Sequence, residues 1–361
     1  MANIEQTFQN NHQTGDGPFT RKCMEFFKAK YNMPRTLFTP SGTASLEMMA
    51  MILDLQPGDE VIMPAYTFVS SANAFAKFNC KPVFVDSLPD NPNMDADLIE
   101  AKITGRTRAI LMVHYGGWVS DMAKCQALCE KYNLVLLEDA AQSVHHFYKG
   151  QPLGTFGDIS AVSFHGTKIV GCGEGGMLIV NNEKYHARAE IIREKGTNLM
   201  DYYKGLTTYY EWMDKGSSYL LSDINAAYLL PQLEEIDQLA AQRKKLWRMY
   251  FEGLVSNENF IKCPQQDEGS NFYIFYIRFK TAAMMNHYRA ELKAKGISSC
   301  PHFKPLHTSP YYVENYPDMR AAYPNAESFE LILRIPLFNA LEPEKVTYIV
   351  ETINAIEALE K

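Results

Sequence analysis

The chain has 361 residues, of which 46% are hydrophobic and 21% are charged, and its formal net charge is -7 at pH 7. This length allows a large domain and a smaller one, and the negative charge argues against binding to a nucleic-acid backbone. There is no membrane-length apolar run, the first residues are too polar for a secretory signal, and the seven cysteines lack CxxC spacing. We therefore expect a soluble cytoplasmic protein with reduced thiols that binds neither membrane nor nucleic acid.

Short apolar runs rich in β-forming residues alternate with amphipathic stretches over the first two thirds of the chain. This alternation predicts an α/β domain with a mostly parallel sheet. The predicted strands are 60–63, 82–85, 109–113, 134–137, 159–164 and 177–180, and helices are predicted between several of them, including 44–55 and 123–132.

The pattern changes towards the C-terminus. Apolar residues at helical spacing predict a long helix over 223–254, which Pro231 bends or delays. Beyond it we predict a strand over 272–279 and helices over 284–295 and 344–359. The sequence thus predicts a large domain over 1–249 and a smaller α+β domain over 250–361.

Lys168 follows the end of a predicted strand by four residues, in the segment SFHGTKIVGCGEGG. A lysine that forms a Schiff base must be neutral part of the time, which requires a partly desolvated site. A single loop lysine is usually only solvated, so this segment needs support from others. Gly171, Gly173 and Gly176 spell a G-x-G-x-x-G fingerprint, but a strand pattern follows where a dinucleotide site needs a helix, so we exclude that function.

Glu138 and Asp139 end another predicted strand, in VLLEDAAQS. A carboxylate in this position can pair with the protonated pyridine nitrogen of pyridoxal phosphate (PLP). The alternative is an aspartate that only caps the start of a helix.

Two further segments are suited to holding a cofactor. Ser41, Gly42 and Thr43 stand where a helix is predicted to begin, and free backbone N–H groups there bind anions such as phosphate. Tyr66 and Phe68 follow a strand, and an aromatic ring there can stack on a flat cofactor. Simple helix capping and core packing are the respective alternatives.

The order of these segments strengthens each of them. A phosphate-type turn, an aromatic residue, a strand-end aspartate and a strand-end lysine occur on successive βα units. Because the carboxyl ends of parallel strands meet at one edge of a sheet, these groups are expected to share one cleft. Together they predict a PLP site.

The chain resembles the DegT/DnrJ/EryC1/StrS family of sugar-nucleotide aminotransferases over nearly its whole length. The resemblance implies PLP fold type I, with a mostly parallel seven-stranded mixed sheet in the large domain and a smaller C-terminal α+β domain. The motifs that carry it are SGTASLEM, PAYTFVSSANA, EDAAQ, SFHGTK, GEGG, IIREKGTN and GSSYLLSDINAAYL.

The resemblance also implies roles for individual residues. Lys168 would bond to PLP and move the proton, with pyridoxamine phosphate (PMP) as the intermediate form, and Asp139 would pair with the pyridine nitrogen. The other implied roles belong to Gln142 at the phenolic oxygen, Phe68 on the ring face, Gly42, Thr43 and Ser163 at the phosphate, and His307 near the substrate.

One position departs from the family pattern. Many members carry an asparagine that reaches the phosphate in the neighbouring subunit, and this chain has Ser218 there. A serine can still donate a hydrogen bond, but over a shorter reach. Because this contact in the family crosses between subunits, the resemblance implies a homodimer with shared active sites.

Within the family, the resemblance is greatest to enzymes that form dTDP-4-amino-4,6-dideoxygalactose. We therefore expect transfer of an amino group from L-glutamate to a dTDP-4-keto-6-deoxyhexose, giving that product or its gluco epimer and 2-oxoglutarate. Arg193, Lys195 and Lys304 are candidates for binding the diphosphate, and no metal site is predicted. The alternatives are a PMP-dependent sugar dehydratase, which carries histidine in place of the lysine, and a non-catalytic PLP-binding regulator, which would bring a basic DNA-binding segment.

Overall fold

The structure, a computed structural model, describes residues 2–319 and 321–357. Its helices are α1 (Ala2–Gln9), α2 (Pro18–Tyr31), α3 (Gly42–Ile52), α4 (Val69–Ala76), α5 (Met122–Tyr132), α6 (His186–Arg193), α7 (Leu199–Tyr203), α8 (Asp223–Glu234), α9 (Ile236–Gly253), α10 (Ala282–Ala294), α11 (Pro310–Asn315), α12 (Pro324–Ser328) and α13 (Pro343–Ala355). Its strands are β1 (Thr36–Thr39), β2 (Glu60–Pro64), β3 (Lys81–Val85), β4 (Thr107–Val113), β5 (Val135–Asp139), β6 (Phe147–Tyr148), β7 (Gln151–Pro152), β8 (Ile159–Ser163), β9 (Gly176–Val180), β10 (Phe260–Lys262), β11 (Phe275–Phe279), β12 (Cys300–Pro301) and β13 (Ile332–Ile335).

A seven-stranded sheet in the order β1-β9-β8-β5-β4-β2-β3 forms the centre of the fold. The pairs from β3 through β8 are parallel, and only β9 runs against both of its neighbours. Nearly every residue of these strands is buried, as expected for a parallel sheet covered on both faces. The predicted fold class is confirmed, with a second, antiparallel sheet in the order β10-β11-β13-β12.

All six strands predicted for the large sheet are present, with shifts of no more than two residues at their ends. Strand β1 was missed, because four wholly buried residues carry no alternating pattern. The single helix predicted over 223–254 is wrong: α8 ends at Glu234 and α9 begins at Ile236. Pro231 lies inside α8 and has no N–H to donate to the preceding turn, which weakens the helix just before the break.

The C-terminal predictions hold in part. Strand β11 and helices α10 and α13 fall within the predicted ranges, except that α13 begins one residue and α10 two residues earlier. The last two residues of the predicted 344–359 helix lie outside the described part of the chain. The domain boundary at 249/250 stays a prediction. No described helix is both long and apolar enough to cross a membrane.

Helix α9 fixes the second sheet against the rest of the protein. The rings of Trp247 and Tyr250 lie 5.3 and 5.2 Å from that of Phe275 on β11. The indole N–H of Trp247 donates to the carbonyl of Ile274 at 2.9 Å. One continuous apolar cluster joins these residues to the large sheet, so the two sheets hold a fixed relation across the cleft between them.

Strand β5 ends in two acids that point to opposite faces of the sheet, because side chains alternate along a strand. Glu138 is fully buried, and its carboxylate accepts hydrogen bonds from the loop after β7 and from His114 at 2.9 Å. The other donors are the N–H groups of Gly154, Phe156 and Gly157 and the hydroxyl of Ser160. Burial alone would raise the pKa of Glu138, but these donors outweigh it and lower the pKa. Glu138 therefore anchors the loop, and Asp139 is left for the cleft.

Replacing Glu138 with glutamine places an amide NH₂ among these donors, and we expect a loss of about 3 kcal/mol in the free energy of unfolding. Because folding lowers the pKa of Glu138, its contribution is complete above the ordinary glutamate value of 4.5 and is lost as the pH falls through the lower, folded value. Urea denaturation from pH 3 to pH 7 measures both effects. Glu130→Gln, on an exposed face of α5, is the control and should change little. Equal stability of the Glu138 and Glu130 variants at pH 7 would contradict the anchoring role.

Candidate active site

A cleft of about 480 Å³ opens at the carboxyl ends of β4, β5 and β8. Such a volume suits a small-molecule site. Eight of the residues singled out in the sequence line it: Ser41, Gly42, Thr43, Phe68, Asp139, Gln142, Ser163 and Lys168. The expectation that these segments share one cleft agrees with the geometry.

The start of α3 forms one end of the cleft. The side chain of Ser41 caps the helix by accepting from Ala44 N–H at 3.0 Å, which leaves the N–H groups of Gly42 and Thr43 without helical partners. A Cβ atom on Gly42 would stand 3.0 Å from the Cβ of Ser163, so only glycine lets the helix start approach the end of β8 this closely. The free N–H groups of Gly42 and Thr43 and the hydroxyls of Thr43 and Ser163 together form a site suited to an anion, which we call the anion cradle.

Asp139 lies deep in the cleft and is almost fully buried. Its carboxylate accepts from the hydroxyl of Ser71 at 2.7 Å and from the N–H of Ala141 at 3.1 Å. Burial raises the pKa of Asp139, while these hydrogen bonds and the nearby charge of Lys168 act in the opposite direction. A buried carboxylate of this kind is stabilised by a cationic N–H partner such as a protonated pyridine.

Lys168 lies on the loop between β8 and β9, which folds back on itself. The N–H of Lys168 donates to the carbonyl of His165 at 2.9 Å, and Gly166 N–H donates to Gly173 at 2.9 Å. The ammonium stands 5.3 Å from the centre of the Tyr273 ring and has no ion-pair partner among the described residues. Lys168 is half-buried and free to react.

Gly176 begins strand β9, so the exclusion of a dinucleotide fingerprint is confirmed.

The remaining cleft residues suit a flat, polar cofactor. Gln142 uses its carbonyl oxygen to accept from Gly116 N–H at 2.8 Å, which leaves its amide NH₂ as a donor to the cleft. Phe68 is 53% exposed and packs at 5.5 Å against Phe303, so one ring face is available for stacking. With the anion cradle, the buried carboxylate and the free lysine, this set fits PLP.

The structure does not bring His307 to the cleft lining. Its ring is buried 4.6 Å from that of Tyr323, and its Nε2 contacts Glu327 at 3.0 Å. The contact between His307 and substrate stays a prediction, and the histidine of this loop that lines the cleft is His302. His307 lies in a short helical turn whose first residue, Leu306, donates its N–H to Ala65, and this turns its ring away.

The three cationic candidates for the diphosphate also lie outside the cleft lining. Arg193 is buried and forms a two-pronged pair with Asp16. Lys195 pairs with its neighbour Glu194, and the exposed Lys304 pairs with Glu330 at 3.2 Å. Each of these three charges pairs with a carboxylate, and their role at the diphosphate stays a prediction.

Sequence reasoning missed most of the residues that the second sheet and its approaches bring to the cleft, which are Tyr273, His302, Phe303 and Arg334. They lie a hundred residues or more beyond Lys168, and no local pattern connects them with it. The one available signal was Arg334, two residues before the PLF motif at 336–338 in an apolar run, because a buried strand rarely carries a charge.

Ser218 is exposed and lies away from the cleft of its own chain. Its backbone bridges to Glu194, which ties the segment to the end of α6. A contact between Ser218 and a cofactor would therefore be made in a neighbouring subunit.

Comparison with known proteins places this geometry in a family. The model of the DegT/DnrJ/EryC1/StrS aminotransferase family matches residues 1–354. The GDP-perosamine synthase of Escherichia coli O157:H7 is 32% identical over 353 residues, which span 97% of this chain and 93% of that protein.

Solved structures agree with the sequence comparison. The aminotransferase TlmJ from Streptoalloteichus hindustanus has a TM-score of 0.89 at 27% identity and covers 98% of this chain and 94% of its own. Spr1654 from Streptococcus pneumoniae, solved in a PLP form and a PMP form, has TM-scores of 0.87 and 0.88 at 27% identity, with 98% and 94% coverage.

Replacing Gly42 with alanine should weaken PLP binding, because the added methyl group pushes the start of α3 away from Ser163 and widens the anion cradle. We expect the Kd for PLP to rise about tenfold, a change of ~1.4 kcal/mol. Absorbance titration of the apoprotein with PLP measures this. Gly105→Ala is the matched control, because a Cβ there meets nothing within 4 Å. Equal PLP affinity in the two variants would show that the close approach at Gly42 does not serve the cofactor.

Proposed function

Because the chain belongs to the DegT/DnrJ/EryC1/StrS aminotransferase family, we propose that it moves an amino group from L-glutamate to the keto group of a dTDP-4-keto-6-deoxyhexose. It is a PLP-dependent sugar-nucleotide aminotransferase. The observation that carries the proposal is the presence of Lys168, Asp139 and the anion cradle in one cleft.

Each part of the cleft has a distinct task in this reaction. Bound PLP supplies an electron sink for the electron pair left behind when the α-proton of an amino acid is removed. The N–H groups of Gly42 and Thr43, with Ser163, would hold its phosphate. Asp139 would pair with its pyridine nitrogen and favour the protonated form, and Phe68 would pack on its ring.

Lys168 moves the proton. Its Nζ would take the proton from the α-carbon of the amino donor and later donate a proton to the sugar carbon that receives nitrogen. The absence of a carboxylate partner among the described residues favours this role, because no ion pair occupies the amine. The amide NH₂ of Gln142 orients the phenolic oxygen of the cofactor.

The identity of the sugar nucleotide is the finer part of the proposal. Resemblance in the segment GSSYLLSDINAAYL supports a dTDP-linked 4-keto-6-deoxyhexose, with dTDP-4-amino-4,6-dideoxygalactose or its gluco epimer as the product. A GDP-linked sugar is the second candidate, because a relative that is 32% identical bears the name GDP-perosamine synthase.

One experiment decides between these substrates. The purified protein is incubated with PLP, L-glutamate and either dTDP-4-keto-6-deoxyglucose or GDP-4-keto-6-deoxymannose, and the product is examined by NMR. We expect an amino sugar from the dTDP substrate, and the coupling constants around C4 give the configuration of the new amine. Turnover of the GDP substrate alone would refute the choice of nucleotide while leaving the aminotransferase in place.

A dehydratase that uses PMP is disfavoured by the cleft itself. Such enzymes carry histidine where Lys168 stands, and here His165 is turned towards Thr167 by a 2.8 Å hydrogen bond. Conversion of bound PLP to PMP by L-glutamate, followed by absorbance, distinguishes the two activities.

Replacing Lys168 with alanine removes the group that moves the proton, and we expect steady-state turnover to fall by at least about 10³-fold. Release of 2-oxoglutarate in a coupled assay measures the loss. Lys245→Ala, on an exposed face of α9, is the control and should retain full activity. Substantial turnover by the Lys168 variant would refute the assignment.

A homodimer with shared active sites is part of the proposal. The segment before Ser218 exposes Tyr203, Tyr209 and Trp212, the last by 86%. Large apolar side chains grouped in this way mark a surface that another protein covers. A second copy on this surface would bring Ser218 towards the neighbouring anion cradle.

Light scattering should therefore give twice the chain mass of 41.1 kDa. Trp212→Glu places a charge in the proposed interface and should shift the protein towards monomer while weakening PLP binding. Val255→Glu, at another exposed apolar position, should remain dimeric. A monomeric wild-type protein with full activity would contradict shared sites.

A further inference from the structure

Two hydroxyl groups stand behind Asp139, on the segment that leads into α4. The hydroxyl of Ser71 donates to the carboxylate of Asp139 at 2.7 Å, and the hydroxyl of Thr67 lies 2.8 Å from that of Ser71. Both side chains are buried, so these hydrogen bonds are shielded from water. Ser71 and the N–H of Ala141, at 3.1 Å, supply every hydrogen bond that the side chain of Asp139 accepts from the described residues.

The number of donors and acceptors decides the direction of this pair of hydroxyls. If Thr67 donates to Ser71, and Ser71 donates to an ionised Asp139, each hydroxyl proton has an acceptor. A protonated Asp139 would donate to Ser71, and Ser71 would donate to Thr67. The proton of Thr67 would then lack an acceptor among the described residues, which is costly for a buried hydroxyl. The pair therefore favours the ionised form of Asp139.

The ionisation of Asp139 needs this support because the carboxylate is buried. Burial raises the pKa of Asp139, and the hydrogen bond from Ser71 is the strongest influence that lowers it. The N–H of Ala141 and the charges of Lys168 and His114 act in the same direction more weakly. The other titratable or charged groups nearby are Glu138 on the opposite face of β5 and, in the cleft lining, His165, Glu174, Tyr273, His302 and Arg334.

Ser71 reaches the cleft only through Asp139, because its own side chain is not part of the cleft lining. Its neighbour Ser70 does line the cleft, with its hydroxyl 2.8 Å from that of Thr43 in the anion cradle. Adjacent residues of a helix point in different directions, so two consecutive serines can contact different groups. The first turn of α4 thus supports both the anion cradle and the buried carboxylate.

We propose that Thr67 and Ser71 form a directed pair of hydroxyl donors that keeps Asp139 ionised before the cofactor binds. Ser71 is a positioning residue that acts through Asp139, and Thr67 sets the direction of the Ser71 proton. The inference rests on the proposed function, in which Asp139 pairs with the ring nitrogen of the cofactor. It names the groups that prepare the carboxylate for this pairing.

The ionised form matters because it decides where one proton lies. A carboxylate accepts from a protonated ring nitrogen, and the ring then carries the positive charge that withdraws electrons from the reacting carbon. A protonated carboxyl would instead donate to an unprotonated nitrogen, and the ring would lose that charge. Both arrangements contain one proton between the two groups, and the hydroxyl pair stabilises the one with the proton on nitrogen.

Infrared difference spectra of the apoprotein test the ionisation of Asp139 without any cofactor. A protonated carboxyl and a carboxylate absorb at different frequencies, and subtraction of the Asp139→Asn spectrum isolates this residue. In Ser71→Ala we expect the midpoint for protonation of Asp139 to rise by about 1 to 2 pH units, because a hydrogen bond to the charged form is lost. Ser71→Thr keeps the hydroxyl and should stay within about half a pH unit of the wild type.

Two further variants complete this test. Thr67→Val keeps the shape of the side chain but has no donor, and it should shift the midpoint in the same direction less than about half as far. Ser87→Ala removes another fully buried serine hydroxyl, which donates to Pro92 outside the cleft lining, and should leave the midpoint unchanged. An unshifted midpoint in Ser71→Ala, or a larger shift in Thr67→Val than in Ser71→Ala, would overturn the proposal.

Binding of PMP to the apoprotein connects this ionisation to the cofactor. PMP has no aldehyde and cannot bond to Lys168, so its affinity reports the non-covalent contacts. The affinity should fall as the pH drops through the pKa of Asp139 in the apoprotein, because the carboxyl must then lose a proton in order to pair. In Ser71→Ala we expect this fall to begin about 1 to 2 pH units higher. Above the midpoint the Kd should stay within about threefold of wild type, because the hydrogen bond is missing from the free and bound protein alike.

Calorimetric titrations with PMP across the pH range separate the possible outcomes. An equal loss of affinity at every pH in Ser71→Ala would indicate that Ser71 only packs against the start of α4, and would contradict the proposal. The proposal also fails if Asp139→Asn changes PMP binding and Ser71→Ala does not. If Asp139→Asn binds PMP with wild-type affinity and pH dependence, the pairing of Asp139 with the cofactor in the proposed function is itself refuted.

Discussion

A buried carboxylate at the end of a parallel strand is the constraint on which the other features of the cleft depend. Asp139 is almost fully desolvated, and the hydroxyl and N–H groups around it do not neutralise its charge. An isolated buried charge is costly, so the site needs a cationic partner in the space in front of it. In the proposed function the pyridine N–H of PLP would supply that partner, and Lys168 lies on the loop after the next strand of the sheet.

Glu138 and Asp139 are adjacent acidic residues, yet the first has a structural role and the second faces the cleft. Both acids end the same strand, and strand geometry alone sends their side chains to opposite faces. Glu138 meets a set of backbone N–H groups and His114, which hold the loop leading into β8. That loop sets where β8 begins and thereby helps to place Ser163 and the lysine loop beside Asp139.

The second sheet completes the cleft on the side facing the substrates. An aminotransferase accepts two different molecules in turn at one set of reacting groups, so its cleft needs contacts that suit both. Arg334 and His302 contribute their side chains to this side of the cleft. Because α9 packs the second sheet firmly against the large domain, these contacts stay at a fixed distance from Lys168.

The sequence by itself determined the α/β class, nearly all strands of the large sheet and the cofactor side of the cleft. It did so because parallel strands are continuous apolar runs, and because strand ends of one sheet meet at one edge. Thr43 stands at the start of a helix, Asp139 ends a strand and Lys168 follows another strand within a few residues, so their positions follow from local pattern. The choice of Lys168 among the chain's lysines depended on the order of these segments.

Only the tertiary structure decided the substrate side. His302, Phe303 and Arg334 reach the cleft through the packing of a second sheet, which no local periodicity encodes. For the same reason the sequence pointed to His307, which contacts Glu327, although His302 in the same loop is the histidine that lines the cleft. The sequence also offered Arg193 as a ligand of the diphosphate, although Arg193 already pairs with Asp16. Which charge is free and which is neutralised depends on partners distant in sequence, and these become known only when the chain is folded.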